Sequence, residues 1–314
     1  MTSERDFISS LRRMAADPAA RGLADDAAVL DHGGTNLVLT HDMIVEGVHF
    51  LAGDPADDVA WKAVAVNLSD LAAKGATPIG LLMGYSLGGD PAWDEAFAAG
   101  LGRVLAEFKV PLLGGDTVSA APGGGRCIGV TAIGTANPPV VSRSGAQAGD
   151  LLWVSGTIGD AGAGLRIARG ALAGPARLVD RYRRPQPRLA AGAALAPLAH
   201  AMMDISDGLL IDAGRMAEAS GLAVTIDLSL IPLSDELVAT MGEGRAARLE
   251  AATAGDDYEL LLAAAPSLGE ALRAGGFEPP LTRVGRFDAG SGVILRDGSE
   301  AVPLPARLGF EHDK

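Results

Sequence analysis

The chain has 314 residues, 48% hydrophobic and 21% charged, which is enough for one large or two medium folded domains and excludes a disordered protein. A net charge of −13 argues against nucleic-acid and anionic-membrane partners, and no run of 18 apolar residues offers a membrane span. The single cysteine, Cys127, excludes an intramolecular disulfide and a cysteine-built zinc site. With no signal-peptide core near the N-terminus, a cytoplasmic setting is expected.

In chain order, residues 3–16 read as a short amphipathic helix. Asp25 and Asp26 then precede a small apolar run, and residues 37–40 read as a short strand ending on His41 and Asp42. Asp54 and Pro55 read as the N-cap and first residue of a long apolar helix, with Asp57 and Asp58 in its positive first turn and Gly75 and Pro78 as its stop. Asn67, Asp70 and Lys74 share one stripe of that helix with Ala56, Ala60 and Ala63. Asp70 is therefore either a buried carboxylate that needs a partner or a cation, or one half of an i,i+4 pair with Lys74. A strand at 78–87, a helix from Asp90 to about Glu107 and a buried strand at 110–113 ending on Gly114, Gly115 and Asp116 follow. Residues 122–126 read as a hairpin tip or loop before a strand at 127–135. Pro138 and Pro139 mark a boundary near residue 140. The second half alternates strands and helices, among them a strand at 151–155, a glycine-rich turn at 156–164, a helix at 208–219 and a strand at 222–228. The expected architecture is α/β, with an N-terminal domain (1–140) built on a mixed sheet with helices and a C-terminal α/β domain (141–314).

The chemistry is carried by acidic residues at strand ends. Asp42, Asp116 and the pair Asp204 and Asp207 each follow an apolar run, where ligands bind in open α/β sheets. With Asp25, Asp26 and Asp70 they make seven carboxylates that could converge, a hard oxygen set that suits Mg²⁺ together with substrate phosphates. Taken singly each is an ordinary cap or turn residue, Asp207 for example capping the helix after Gly208. The 156–164 turn could cradle a phosphate, although close helix–strand packing explains it better, and no Walker A sequence occurs. Arg143, Arg183, Arg184 and Arg188 are candidate phosphate forks or plain solvated loop residues. His49 could be a ligand or a satisfied core histidine.

Several strings together are specific: THD at 40–42, EGVHF at 46–50, WKAVAVNLSDLAAKGA at 61–76, GGD at 114–116, RSGAQAGD at 143–150, MDISDGL at 203–209 and GDDYEL at 255–260. Over nearly its whole length the chain resembles the thiamine-monophosphate kinase family, within the aminoimidazole ribonucleotide synthetase-like superfamily. The resemblance implies a two-domain fold whose N-terminal sheet pairs with its copy in a homodimer, with ATP between the domains. It implies transfer of phosphate from ATP to thiamine monophosphate, with several Mg²⁺ ions and no protein nucleophile. Position by position, it implies metal-ligand roles for Asp26, Thr40, His41, Asp42, Asp70, Asp116, Asp204 and Asp207. ATP roles fall on Gly115, Asp116, Arg143 and Ser206, and thiamine-phosphate roles on His49, Asp256 and Phe310.

The chain departs from the family pattern at four places. Ala24 stands where the family has Gly, His41 where it has Thr, Asp256 where it has Glu, and Phe310 where it has Trp or Tyr. The first two bear on metal geometry and the others on substrate fit. Alternative readings are another ATP-using enzyme of the superfamily that activates an amide, or a nucleotide-binding protein without catalysis. Selenophosphate synthesis is disfavoured because Cys127 is far from the N-terminus.

Overall fold

The computed structural model describes residues 4–121, 124–269 and 277–311. It contains two mixed sheets with helices packed on them, so the α/β expectation holds. Helix α1 (Glu4–Arg12) leads into β1 (Ala28–His32) and β2 (Thr35–Val45). The central helix α2 (Ala56–Ala73) follows, then β3 (Thr77–Leu87), α3 (Pro91–Phe108), β4 (Leu112–Ser119) and β5 (Cys127–Ala136). These five strands lie in the order β1-β2-β5-β3-β4, antiparallel except for β3 with β4. Because β5 inserts between β2 and β3, β4 and β5 are not paired as a hairpin. Pro122 and Gly123 between them, and residue 3 of the first expected helix, lie outside the described residues.

The second half supplies β6 (Leu151–Ser155), α4 (Asp160–Ala168), α5 (Ala176–Arg183), α6 (Leu189–Leu195), β7 (Ala201–Asp204), α7 (Leu209–Ser220) and β8 (Leu222–Asp227). After them come α8 (Asp235–Met241), α9 (Arg245–Thr253), β9 (Leu260–Ala264), β10 (Leu281–Ala289), β11 (Gly292–Asp297) and β12 (Glu300–Val302). Their sheet runs β12-β11-β8-β10-β6-β9-β7. Only β8 and β11 pair in parallel, so alternation of strand and helix in the chain has not produced a parallel sheet.

Helix α2 is the structural axis. Fifteen of its eighteen residues are buried, so it is covered on all sides instead of showing one wet face. Its first part packs on Val38, Ile44, Leu81, Ile128 and Val130 of the first sheet and on Phe97, Leu101 and Val104 of α3. Its last residues, Ala72 and Ala73, join a second core with Trp153, Ala191, Leu195, Met202 and Leu262. Close approach is what the small residues permit: a Cβ on Gly192 of α6 would sit 2.0 Å from the Ala72 carbonyl oxygen. Truncating a buried leucine here, Leu68 or Leu71, would cost about 2–5 kcal/mol.

Three local expectations are corrected. Asp54 does not cap α2: it accepts the Leu51 N–H (2.8 Å) and is paired with Arg183 (2.8 Å), while Pro55 occupies the cap position without a side-chain bond. β2 does not end at Thr40 but runs to Val45, because its pairing with β5 continues to Val45 opposite Cys127 and the Asp42 N–H finds Asn67. β4 is not buried: all eight of its residues are exposed, and it is an edge strand.

Candidate active site

The second half of α2 and its C-cap present four polar side chains, two bonded to β2 and two to other segments. Asn67 Oδ1 accepts the backbone N–H of Asp42 (2.9 Å) and its Nδ2 donates to the Ala63 carbonyl (3.0 Å). The Ser69 hydroxyl donates to Asp204 Oδ2 (2.6 Å), and Asp70 Oδ2 accepts from the Thr40 hydroxyl. The Lys74 ammonium pairs with Asp25, lies 2.8 Å from Asp26 Oδ2 and donates to the Met202 carbonyl (3.1 Å). Lys74 is therefore not the partner of Asp70, and the i,i+4 alternative is set aside. Around this helix gather Asp26 from the loop before β1, Asp42 from β2, Asp204 at the end of β7 and Asp207 in the turn after it.

The proton affinities record the crowding. Asp70 is pushed well above the carboxylate range, first by burial and then by Asp42, Asp204 and Asp26, with the Thr40 bond opposing. Asp204 is pushed up to about 8 by burial and by Asp26, against the Ser69 bond. Asp42 rises through burial, opposed by His41 and reinforced by Asp26 and Asp207. Asp25 goes the other way: burial would raise it, but Lys74, Arg21 and Ser142 hold it well below the usual range. A set of oxygen donors that repel one another is what a hard divalent cation relieves. Among the described residues, no three acidic, histidine or cysteine side chains form a ready-made metal shell. The donor chemistry fits Mg²⁺, which takes a few carboxylates and fills its remaining positions with water and phosphate oxygens.

Two arginines sit on this rim. Arg143 bonds Asp26 Oδ1 through its guanidinium, so it is a half-buried ion-pair partner and no free loop residue. Arg215 holds Asp207 and Asp212 (2.5 and 2.8 Å). Asp212 was not singled out from sequence, yet its Oδ2 collects the N–H groups of Ser206, Asp207 and Gly208 (3.2, 3.0 and 3.2 Å). It fixes the 205–208 turn from inside α7, which corrects the reading of Asp207 as the cap. The signal available in sequence was an acidic residue in the first turn of a helix.

Two of the three expected substrate positions reach the same turn, and the third stands in the loop after β2. The Asp256 N–H donates to the Ser206 carbonyl (2.8 Å) and the Phe310 N–H to the Asp207 carbonyl (2.9 Å). His49 Nδ1 accepts the Val45 N–H (3.1 Å) in the loop that follows β2.

Other expected residues stand apart. The His41 ring points to the outer sheet face and bonds Thr131 Oγ1 (2.8 Å), away from Asp42. Asp116 is exposed on β4; three strand spacings separate that strand from β2, about 14 Å from Asp42. Gly115 packs so closely on β3 that a Cβ would lie 1.9 Å from the Met83 carbonyl oxygen. Arg183 pairs with Asp54, Arg184 with Asp57 and Asp58, and Arg188 with the buried Glu259. The glycine-rich turn serves packing: a Cβ on Gly159 would strike Ala251, one on Gly164 the Leu178 carbonyl, and the Asp257 carboxylate already accepts the N–H groups at the start of α4.

Comparison with known proteins identifies the family. The AIR synthase related protein family matches in both parts, its N-terminal domain over residues 24–136 and its C-terminal domain over residues 147–298. A thiamine-monophosphate kinase of Caulobacter vibrioides is 41% identical over 99% of this chain and 91% of its own length. That of Escherichia coli K12 is 39% identical over 93% and 91%. A solved structure titled "AaThiL complexed with AMPPCP and TMP" superposes with a TM-score of 0.85 at 30% identity, covering 99% of this chain and 97% of its own. With full-length relatives at this level of identity, the chain belongs to the thiamine-monophosphate kinase family.

Proposed function

We propose that the protein transfers the terminal phosphate of ATP to thiamine monophosphate, giving thiamine diphosphate and ADP. The observation that carries this reading is the gathering of Asp26, Asp42, Asp70, Asp204 and Asp207 around α2 in a relative of the thiamine-monophosphate kinases. The AaThiL complex with AMPPCP and TMP supports the pairing of a nucleotide with the acceptor.

Direct phosphoryl transfer requires positioning and charge compensation more than a protein nucleophile. Asp26, Thr40, Asp42, Asp70, Asp204 and Asp207 would hold several Mg²⁺ ions, with the backbone of His41 as a further oxygen donor. Bound Mg²⁺ supplies the positive charge that two phosphorylated ligands need in so acidic a protein. Asn67 and Ser69 fix Asp42 and Asp204. Lys74 pairs with Asp25 and Asp26 at the mouth of β1. Arg143 and Ser206 make up the nucleotide side, from which Gly115 and Asp116 on β4 stand apart within one chain; His49, Asp256 and Phe310 make up the acceptor side.

The two sheets support a division near residue 140. The exposed β4, with Leu112, Leu113 and Val118 on an open edge, supports a homodimer through the first sheet; a monomer by light scattering at micromolar concentration would contradict it. No helix among the described residues is long and apolar enough to cross a membrane, in keeping with a cytoplasmic enzyme. The test of the reaction is transfer of label from γ-labelled ATP: label must appear in thiamine diphosphate, and release as free phosphate alone would refute it.

A further inference from the structure

Helix α2 carries a second buried cation, Lys62, that the acidic cluster does not use. Its Nζ donates to the His49 carbonyl (2.9 Å) and to Asp256 Oδ2 (2.8 Å), and lies 4.2 Å from the centre of the Tyr182 ring. An ammonium has three N–H bonds, and two acceptors and one ring face occupy them. None is left over for a ligand.

The three partners belong to three separate stretches: the loop after β2, α5, and the loop before β9. The same loop and helix are braced again where the Tyr182 hydroxyl (3.1 Å) and Arg183 Nε (2.8 Å) donate to Asp54. Asp256 itself is held at φ +71°, a left-handed conformation uncommon outside glycine that persists only where surrounding contacts impose it. A lysine side chain only 2% exposed requires such pairing to be tolerated at all.

We propose that Lys62 is a positioning residue of the acceptor subsite, setting the distance between His49 and Asp256 and the direction of the Asp256 carboxylate. This rests on the assignment of His49 and Asp256 to the acceptor side. Lys62 acts through those two residues and touches neither nucleotide nor the transferring group, so its removal separates acceptor binding from catalysis. The Asp256 side chain is 26% exposed, so water can replace the ammonium and the variant retains its fold.

The test is steady-state kinetics on the full chain. Lys62→Met raises KM for thiamine monophosphate by about tenfold or more, while KM for ATP and kcat stay within about threefold. Because Lys62 works through Asp256, the Lys62→Met, Asp256→Asn double variant is no worse than Asp256→Asn alone. An unchanged acceptor KM, an equal rise in both KM values, or additive losses in the double variant would overturn the proposal. If Lys62→Met does not fold, Tyr182→Leu against Tyr182→Phe reads the same contact: the Leu variant loses the ring face and raises the acceptor KM, and equal acceptor KM values would overturn the proposal. A wild-type protein that does not turn over thiamine monophosphate removes the functional reading and this inference together; an active wild type with an unaffected Lys62→Met removes the inference alone.

Discussion

Thr40 and Asp70, thirty residues apart in the chain, meet between β2 and α2, where the threonine hydroxyl donates to a carboxylate oxygen of the helix. A carboxylate in the middle of a buried helix is costly unless something compensates it. Here the one neighbouring cation on the helix, Lys74, is turned to Asp25 and Asp26, and the remaining neighbours of Asp70 are carboxylates that raise its proton affinity.

Asp70→Asn keeps the shape and a partner for Thr40 while removing a charge that repels Asp42 and Asp204. Turnover should fall by about a hundredfold or more, as expected for loss of a group that compensates transition-state charge through metal. The melting temperature of the ligand-free protein should stay or rise. Near-normal turnover measured at saturating Mg-ATP would contradict the metal role.

The raised proton affinities fix a pH dependence. Asp42, Asp70 and Asp204 bind protons more tightly in the folded chain than in the unfolded one, so their contribution to stability is complete below the unfolded value of 3.8. It is lost as pH rises through the folded value, about 8 for Asp204. The metal-free protein should therefore lose stability as pH rises from about 4 to about 8, by up to about 1.4 kcal/mol per pH unit for Asp204, with Asp42 and Asp70 acting in the same direction. Adding Mg²⁺ with a non-hydrolysable ATP analogue should flatten the profile. Chemical denaturation across that range is the measurement, and a flat metal-free profile would contradict it.

Lys74 has a fully buried side chain between two carboxylates. Lys74→Met leaves both without their ammonium, and removing one partner of a buried pair costs about 3–5 kcal/mol. Urea unfolding should show that loss; a change below about 1 kcal/mol would mean that Arg21 and Arg143 suffice.

His41 replaces the family threonine, yet its ring lies across the sheet from Asp42 and bonds Thr131, its register partner on β5. Only its backbone can serve the acidic cluster. His41→Thr should keep Mg²⁺-dependent turnover within about threefold and leave the metal preference unchanged. A wild-type preference for a transition metal over Mg²⁺ that is lost in the variant would show the imidazole at work.

What could be read from the sequence follows locality. The stop of α2, the Asp90 cap of α3 and β6 are written in neighbouring residues, and Asn67, Asp70 and Lys74 declare a special stripe by their spacing. β2 was cut short because His41 and Asp42 look like a strand end; its continuation depends on Asn67 and Thr131, 25 and 90 residues away. Lys62 was silent for the same reason, since Asp256 lies 194 residues on. The exposure of β4 was illegible because an apolar run states that something covers it, not that the cover belongs to the same chain. Asp116 and Gly115 share that strand, so the nucleotide side was the least legible part of the site.

The central claim is the identity of the acceptor, and ADP formation from Mg-ATP tests it most directly when thiamine monophosphate, free thiamine and formylglycinamidine ribonucleotide are offered separately. The geometry around α2 and the family relationship predict turnover with thiamine monophosphate alone. Turnover only with formylglycinamidine ribonucleotide, or ATP binding without turnover of any of the three, would contradict the account.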